Sequence, residues 1–476
     1  MLRLLCALLA LTVVAVDAQV PAVAFVARWG GISKDTPSSI VTDRQHGVFV
    51  VGTTYSKDFP VTTGPAPNGN WCLYGTKLDA TRGARVYASV ACGRGMTWGR
   101  AAAVSGTGEL WAAGSTDGPG FPVTPDAARR RFGGSGASYG AGDAFVLRWS
   151  ADGRAIRYAT YLGGSGDEQA TALVADTSGG VWVAGSTTSP RFASDSGMAQ
   201  PSPLGGSDAF LARIDVHGRL VTLKRFGGTG DDVVSAMARA SPDRLVLIGH
   251  STSPSGTSPQ HRAGTFVLLF DTRTESVVWQ RRIGGAGNDR LHAVTVREDG
   301  RVLAVGESGS ANCHGSRGKH DGWVVILSAQ GVPLQEFCFG GREVESARGV
   351  ALDAGGGVWV TGVTNSPDFA EPATAADARA LVGYRQAFVA RIDVERRGVR
   401  SIVLLGSDEW PRNQYAEGQA LVALGDRIVV AGDIGSSHGG RIPSAGGQIL
   451  PTAGAFGHGQ RFSSHDSFVV ALRPVP

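Results

Sequence analysis

Apolar and polar residues alternate along this chain in short runs that glycine keeps interrupting. Residues 161–190 read YLGGSGDEQATALVADTSGGVWVAGSTTSP. Within them ATALVAD and VWVAG are short apolar or alternating runs bounded by Gly, Asp or Ser, the pattern of half-buried and fully buried strands. Few long segments place apolar residues at helical spacing. The pattern predicts an all-β chain of short strands joined by glycine turns.

The same pattern recurs. Pieces like VWVAGST end at Thr54, Thr116, Thr187, Ser251, Ser308, Thr364 and Ile434, and their glycines are Gly52, Gly114, Gly185, Gly249, Gly306, Gly362 and Gly432. These glycines lie 56 to 71 residues apart. A second piece follows each: CLYGTKLD from Cys72, DAFVLRW from Asp143, DAFLARID from Asp208, TFVLLFD from Thr265, DGWVVILS from Asp321, QAFVARID from Gln386 and DSFVVAL from Asp466. A third piece ends at a glycine pair, as in RYATYLGG to Gly164. Self-similarity at such a period marks a repeat array. With an inner strand such as ATALVAD, each unit has four strands. Seven four-stranded units around an axis make a seven-bladed β-propeller of antiparallel blades. A linear solenoid calls for shorter, more even coils.

The two ends support a ring. AFVARWGG, from Ala24 to Gly31, is an outer-strand pattern with nothing before it, and DSFVVAL is a third-strand pattern with nothing after it. Pairing them closes the last blade with the N-terminal strand and removes both free edges. One inner-strand position holds Ser39, Ala101, Ala172, Ala236, Ala293 and Gly349. All are small, as convergence on an axis requires. The seventh unit breaks this register near Trp410.

GGSGDE at Gly163, ALVAD at Ala172, GVWVAGSTTSP at Gly180 and DAFLARID at Asp208, with DFPVT at Asp58 and FPVT again at Phe121, resemble the SBBP (seven-bladed β-propeller) repeat family. The resemblance runs through almost everything after about residue 23. It is strongest in the third and sixth units and most degenerate in the fourth and seventh. It implies a β-propeller in an exported or surface protein and carries no family-wide catalytic residues, so it leaves function to the site.

Composition adjusts this picture. Gly is 69 of 476 residues, about twice the usual share. Residues 1–18 read as a secretory signal: Arg3, the apolar run Leu4–Val16 and the small-residue pattern Val16-Asp17-Ala18. A buried N-terminal strand or a short anchor is the competing reading of that run. Residues 19–476 then form a single propeller, secreted or held at the cell surface, with no transmembrane segment. The net charge is +4 and the bases are interspersed with acids, so no nucleic-acid footprint is visible. Cys72, Cys92, Cys313 and Cys338 remain after Cys6 leaves with the signal. An even number in an exported chain predicts disulfides. Cys72 begins a third strand and Cys92 ends the adjoining one, so they face each other; Cys313–Cys338 is the second pairing.

The candidate chemistry is sparse. Five residues past the first glycine of each pair stand Asp35, Thr97, Glu168, Asp232, Asp289, Glu345 and Pro411, with Asp167 and Asp231 preceding two of them. As a ring at one channel mouth, Asp35, Asp167, Glu168, Asp231, Asp232, Asp289 and Glu345 suit a cationic ligand or Ca²⁺, which wants several oxygens. Equally, each acid serves as a cap for turn amides. Long inserts at 55–71, 117–142, 188–207, 252–264, 309–320, 365–385 and 435–465 emerge on the same face, where recognition is usually carried. Their Phe-Pro pairs fit packing back onto the blade. Trp98 and Trp410 near the mouth suit either sugar stacking or rim packing. The insert histidines His314, His320, His438, His458 and His465 lack metal-ligand spacing. No nucleophile elbow or phosphate loop is present, and no catalytic residue is assigned. The pattern predicts a monomeric binding or adhesion module for an extracellular protein or glycan. A carbohydrate-active lyase or hydrolase and a structural surface protein are the alternatives.

Overall fold

The computed structural model describes residues 21–43, 47–134, 142–191, 204–254, 264–284, 287–366, 368–369, 385–405, 414–436 and 465–473. The expected leader at 1–18 lies outside them. The described strands form seven four-stranded antiparallel sheets, the expected seven-bladed propeller. The third blade shows the plan: Glu168–Ala175 innermost, then Val181–Thr187, Asp208–Ile214 and Leu220–Phe226. The other inner strands are Asp35–Thr42, Thr97–Val104, Asp232–Ser241, Arg290–Val296, Glu345–Leu352 and Gln414–Leu424. Each touches its two neighbours, and Asp35–Thr42 meets Gln414–Leu424 to close the ring.

Closure is by the chain ends. Ala22–Trp29 pairs antiparallel with His465–Arg473 and completes the seventh sheet, with Ala22 opposite Arg473 and Trp29 opposite Ser467.

The second strands read as continuous apolar runs because both of their faces are buried, each against a different neighbour. Val181 and Val183 pack toward the second blade, whereas Trp182 and Ala184 pack toward the fourth. The core is therefore seven layers between blades, one at each interface. Each buried Val, Leu or Phe in such a layer is worth roughly 1.5–3 kcal/mol, so blade-to-blade packing rather than pairing within a sheet holds the wheel. The repeated W of these runs has a repeated partner. Arg148, Arg213 and Arg391 of the third strands lie 4.9, 5.8 and 5.8 Å from the ring centroids of Trp111, Trp182 and Trp359, within cation–π range.

All seven inner strands carry a β-bulge at one shared position, between Pro37/Ser39, Gly99/Ala101, Ala170/Ala172, Val234/Ala236, Leu291/Ala293, Ala347/Gly349 and Gly418/Ala420. The bulge explains the repeated second-strand glycine. A Cβ on Gly185 would overlap the Gln169 carbonyl oxygen, and one on Gly306 that of Arg290; only glycine lets the two backbones approach so closely. The small column follows one residue after the bulge, and Ala420 completes it.

The seventh blade corrects the sequence register. Ala416 lies opposite Ile434, as Glu168 lies opposite Thr187. The acid position there is thus Ala416. Pro411, and with it Trp410, falls outside the described residues.

The two faces of the wheel differ. On one, the turns are short, from 242–243 and 425–426 up to 150–155. On the other, the connections between second and third strands run from 252–263 and 309–320 up to 437–464. The inner strands begin on this second, insert-bearing face. Three inserts are pinned by a phenylalanine that returns to its blade. Phe59 stacks on Tyr74 at 5.0 Å, Phe121 lies tilted against Phe145 at 4.5 Å and Phe369 meets Phe388 edge-on at 5.1 Å.

Candidate functional site

The acids of the predicted ring stand at the starts of the inner strands, beneath the insert-bearing face. Asp35, Glu168, Asp232, Asp289 and Glu345 are at most 3% exposed, and each has at least one oxygen engaged. Glu168 accepts from the Gly164 amide at 2.8 Å and from the Thr187 hydroxyl at 2.5 Å. Glu345 repeats this with Gly341 and Thr364 at 2.7 and 2.6 Å. Asp35 accepts from the Gly31 amide and Ser56 Oγ, both at 2.7 Å. Asp232 uses Gly228 and Ser253 at 2.9 and 2.6 Å, and Asp289 uses Ser308 and Ser310. Each carboxylate ties the glycine-pair turn, the end of the second strand, or both to the inner strand. Asp167 is half-buried and Asp231 exposed. Asp231 accepts from the Ser207 amide at 2.9 Å. The structure therefore spreads the seven acids over five of the seven blades, one or two in each. Among the described residues no three His, Cys, Asp or Glu side chains converge as a metal-holding group.

Several acids have a second acid close by, across the first glycine of the pair. Asp143 and Glu168 flank Gly163, where a Cβ would stand 2.6 Å from Asp143 Oδ1. Asp466 and Asp35 flank Gly30, and Asp321 and Glu345 flank Gly340. Burial, with Glu168 adding to it, pushes Asp143 up to about 7; burial, with Asp466 adding, pushes Asp35 up to about 6. Burial raises Glu168 and Glu345 as well.

One junction is built otherwise. Between the first and second blades Cys72 stands where Asp143 stands one blade later, Cys92 replaces the first glycine, and Thr97 replaces the acid. Cys72 and Cys92 are disulfide-bonded. Cys313 and Cys338 form the second bond and tie the insert 309–320 to the outer strand Pro333–Phe339. Both expected pairings are present.

Two features of this face were not read from the sequence. The first is an aromatic pair at the root of the first insert. Tyr55 is 44% exposed and stacks on half-buried Trp71, centroids 5.3 Å apart and planes 27° apart. Lys34 Nζ lies 6.0 Å from the Trp71 ring centroid. The Trp71 carbonyl accepts from the Thr97 amide at 2.8 Å, which joins the pair to the start of the second blade's inner strand.

The second is the set of bulged residues. They are Ser38, Arg100, Thr171, Ser235, His292, Arg348 and Gln419, all polar and all partly exposed, while the residue before each is buried. Two of these side chains, Thr171 and Arg348, reach to the next inner strand, whereas His292 and Gln419 meet Glu307 and Asp433 of their own blades. Thr171 donates to the Val234 carbonyl at 2.5 Å. Arg348 bonds Glu417 at 2.5 Å and Gln419 at 3.0 Å; burial raises the Glu417 carboxyl, but the charges and hydrogen bonds of Arg348 and Arg385 outweigh it and hold the group below its ordinary value. The repeated second-strand glycine was the available signal, because glycine inside a strand marks a bulge or a close backbone approach.

One comparison, with known protein families, agrees with the fold. Residues 25–60 match the SBBP beta-propeller repeat family. No curated protein sequence matches the chain. Among solved structures, a protein of unknown function from Dyadobacter fermentans aligns at 10% identity over 96% of this chain and 100% of its own, with a TM-score of 0.43. Sqt1 from Chaetomium thermophilum aligns at 11% over 96% and 100%, with a TM-score of 0.43. The β-propeller domain of the Trilobed protease from Pyrococcus furiosus aligns at 8% over 86% and 97%, with a TM-score of 0.40. Likenesses this distant carry no functional argument.

Proposed function

We propose that the chain is an exported binding module that holds an extracellular glycan on its insert-bearing face. The observation that carries this reading is the Tyr55–Trp71 pair. A partly exposed, nearly parallel pair of rings with an ammonium beside it offers a flat apolar surface with a polar flank. Sugars present the same combination of C–H faces and polar rims, and exposed apolar surface of this kind marks interaction sites. The rigid wheel beneath fixes the platform, and the long inserts surround it. The two disulfides fit an oxidising compartment.

A glycan array probed with residues 19–476, with and without EDTA, tests this. The expected result is binding to a subset of extracellular glycans, unaffected by EDTA and lost in Trp71→Ala and Tyr55→Ala proteins that melt normally. Silence on the array, or full signal from both variants, overturns it.

A further inference from the structure

Arg348 and Arg100 occupy the same bulge position in the sixth and second blades, yet their surroundings differ. Arg348 is met by Glu417, the residue two before the bulge glycine–alanine step's extra residue on the next inner strand. The register equivalent on the strand following Arg100 is Gln169, which bears no charge. Among the described residues Arg100 has no carboxylate partner, and its Nε is buried without an acceptor. Burial lowers its pKa from the ordinary value. A buried guanidinium N–H without an acceptor is costly, and the fold does not require an arginine at this position: Ser38, Thr171 and Ser235 fill the same place in other blades.

We propose that Arg100 receives a carboxylate from the ligand, in the place that Glu417 fills for Arg348, and that the bound glycan therefore carries uronic acid. This rests on the glycan reading of the insert-bearing face. The two sites are connected. Trp71 is bonded to Thr97, and Arg100 lies three residues along that strand, at most roughly 10 Å of backbone at strand rise, because the bulge at Arg100 shortens the path. That spacing suits a sugar on the aromatic pair with its acidic neighbour pointing toward the axis. Arginine's planar fork matches a carboxylate in two-point geometry.

The test compares a glucuronic-acid-containing oligosaccharide with its carboxyl-reduced counterpart by calorimetry, and adds free glucuronate in a melting assay. Wild type should prefer the acidic oligosaccharide by about tenfold, the scale of one charge-assisted contact. Arg100→Gln should erase the preference and leave the reduced oligosaccharide bound as before. Arg100→Lys should retain part of it. Gln169→Glu should fill the position from within, so that the preference disappears while the melting temperature rises, and the rise should vanish when Arg100→Gln is added. Equal affinity of wild type for both oligosaccharides, or a preference that survives both Arg100→Gln and Gln169→Glu, overturns the inference and leaves the glycan reading standing. If neither oligosaccharide binds but free glucuronate raises the melting temperature of wild type and not of Arg100→Gln, the Arg100 site stands and the glycan reading falls. No response to either ligand, with no stabilisation by Gln169→Glu, removes both.

Discussion

The junction between the first and second blades and the junction between the second and third solve one problem in two ways. At the later one, Asp143 and Glu168 crowd a glycine that has no room for a side chain, and hydrogen bonds to turn amides and hydroxyls hold the turn. At the earlier one, a covalent bond from Cys72 to Cys92 spans the same place, with Thr97 where the acid stood. Three substitutions go together there because each requires the others. Without the acids the first glycine is free to carry a side chain, and with a cysteine at that position the third strand must supply its partner. At this junction the glycine is thus a consequence of the neighbouring carboxylates and not of backbone twist, for Gly163 carries no left-handed φ; its equivalents Gly227 and Gly284, with φ of 150° and 110°, meet both demands.

The largest effect should come from breaking the covalent version. Cys72 and Cys92 are 20 residues apart, and opening a loop of that size costs about 3 kcal/mol in the chain-entropy account. The C72S/C92S protein should show this loss in denaturant unfolding, whereas wild type under oxidising conditions should not. Next, Gly163→Ala should cost about 2 kcal/mol, the price of overpacking a filled site. Adding E168T and exchanging the pair for D143C/G163C should recover it by forming a new disulfide, detectable by mass spectrometry after alkylation. Failure of that bond to form would mean the two junctions are not equivalent.

The smallest effect is the pH response. Asp143 and Asp35 have folded-state values near 7 and 6, above the unfolded value of about 3.9. Their contribution is fully present below that value and is lost as pH rises through 6 and 7. Glu307, held near 2 chiefly by His292, acts oppositely, and its contribution is lost as pH falls below the ordinary glutamate range. Melting temperature should therefore peak at about pH 4, where the Glu307 contribution is nearly complete and that of Asp143 and Asp35 has begun to fall. Asp143→Asn should flatten the fall between pH 5 and 7.5 by about a degree or two, while Thr97→Ala at the disulfide junction should leave the slope unchanged. A slope that persists in the Asp143→Asn, Asp35→Asn double variant would exclude these acids as its source.

Blade number, strand order and ring closure were legible because the marks that encode them are local: period-two alternation, glycine turns and complementary ends. The Cys72–Cys92 disulfide was legible from strand register, and Cys313–Cys338 from an insert and an outer-strand end that lie toward one face. The acids were legible as a column, but their surroundings were not, since sequence does not say whether a carboxylate at a strand start meets water or the amides of its own turn. The seventh register was misread because Ala416 replaces the marker acid there and Glu417 follows it. Tyr55, Trp71 and Arg100 escaped notice because their meaning depends on blade-to-blade neighbours, and no repeat-level pattern singles them out.

The closing strand also determines how the wheel bears load. Ala22 sits opposite Arg473, so a pull that separates these two residues acts at one end of an antiparallel pair whose hydrogen bonds run across the strands. Those bonds open singly, like a zipper, instead of resisting together in shear. The propeller is therefore mechanically weakest between its two chain ends, and tension applied there would loosen the seventh blade first while the disulfide-braced first blade kept its shape.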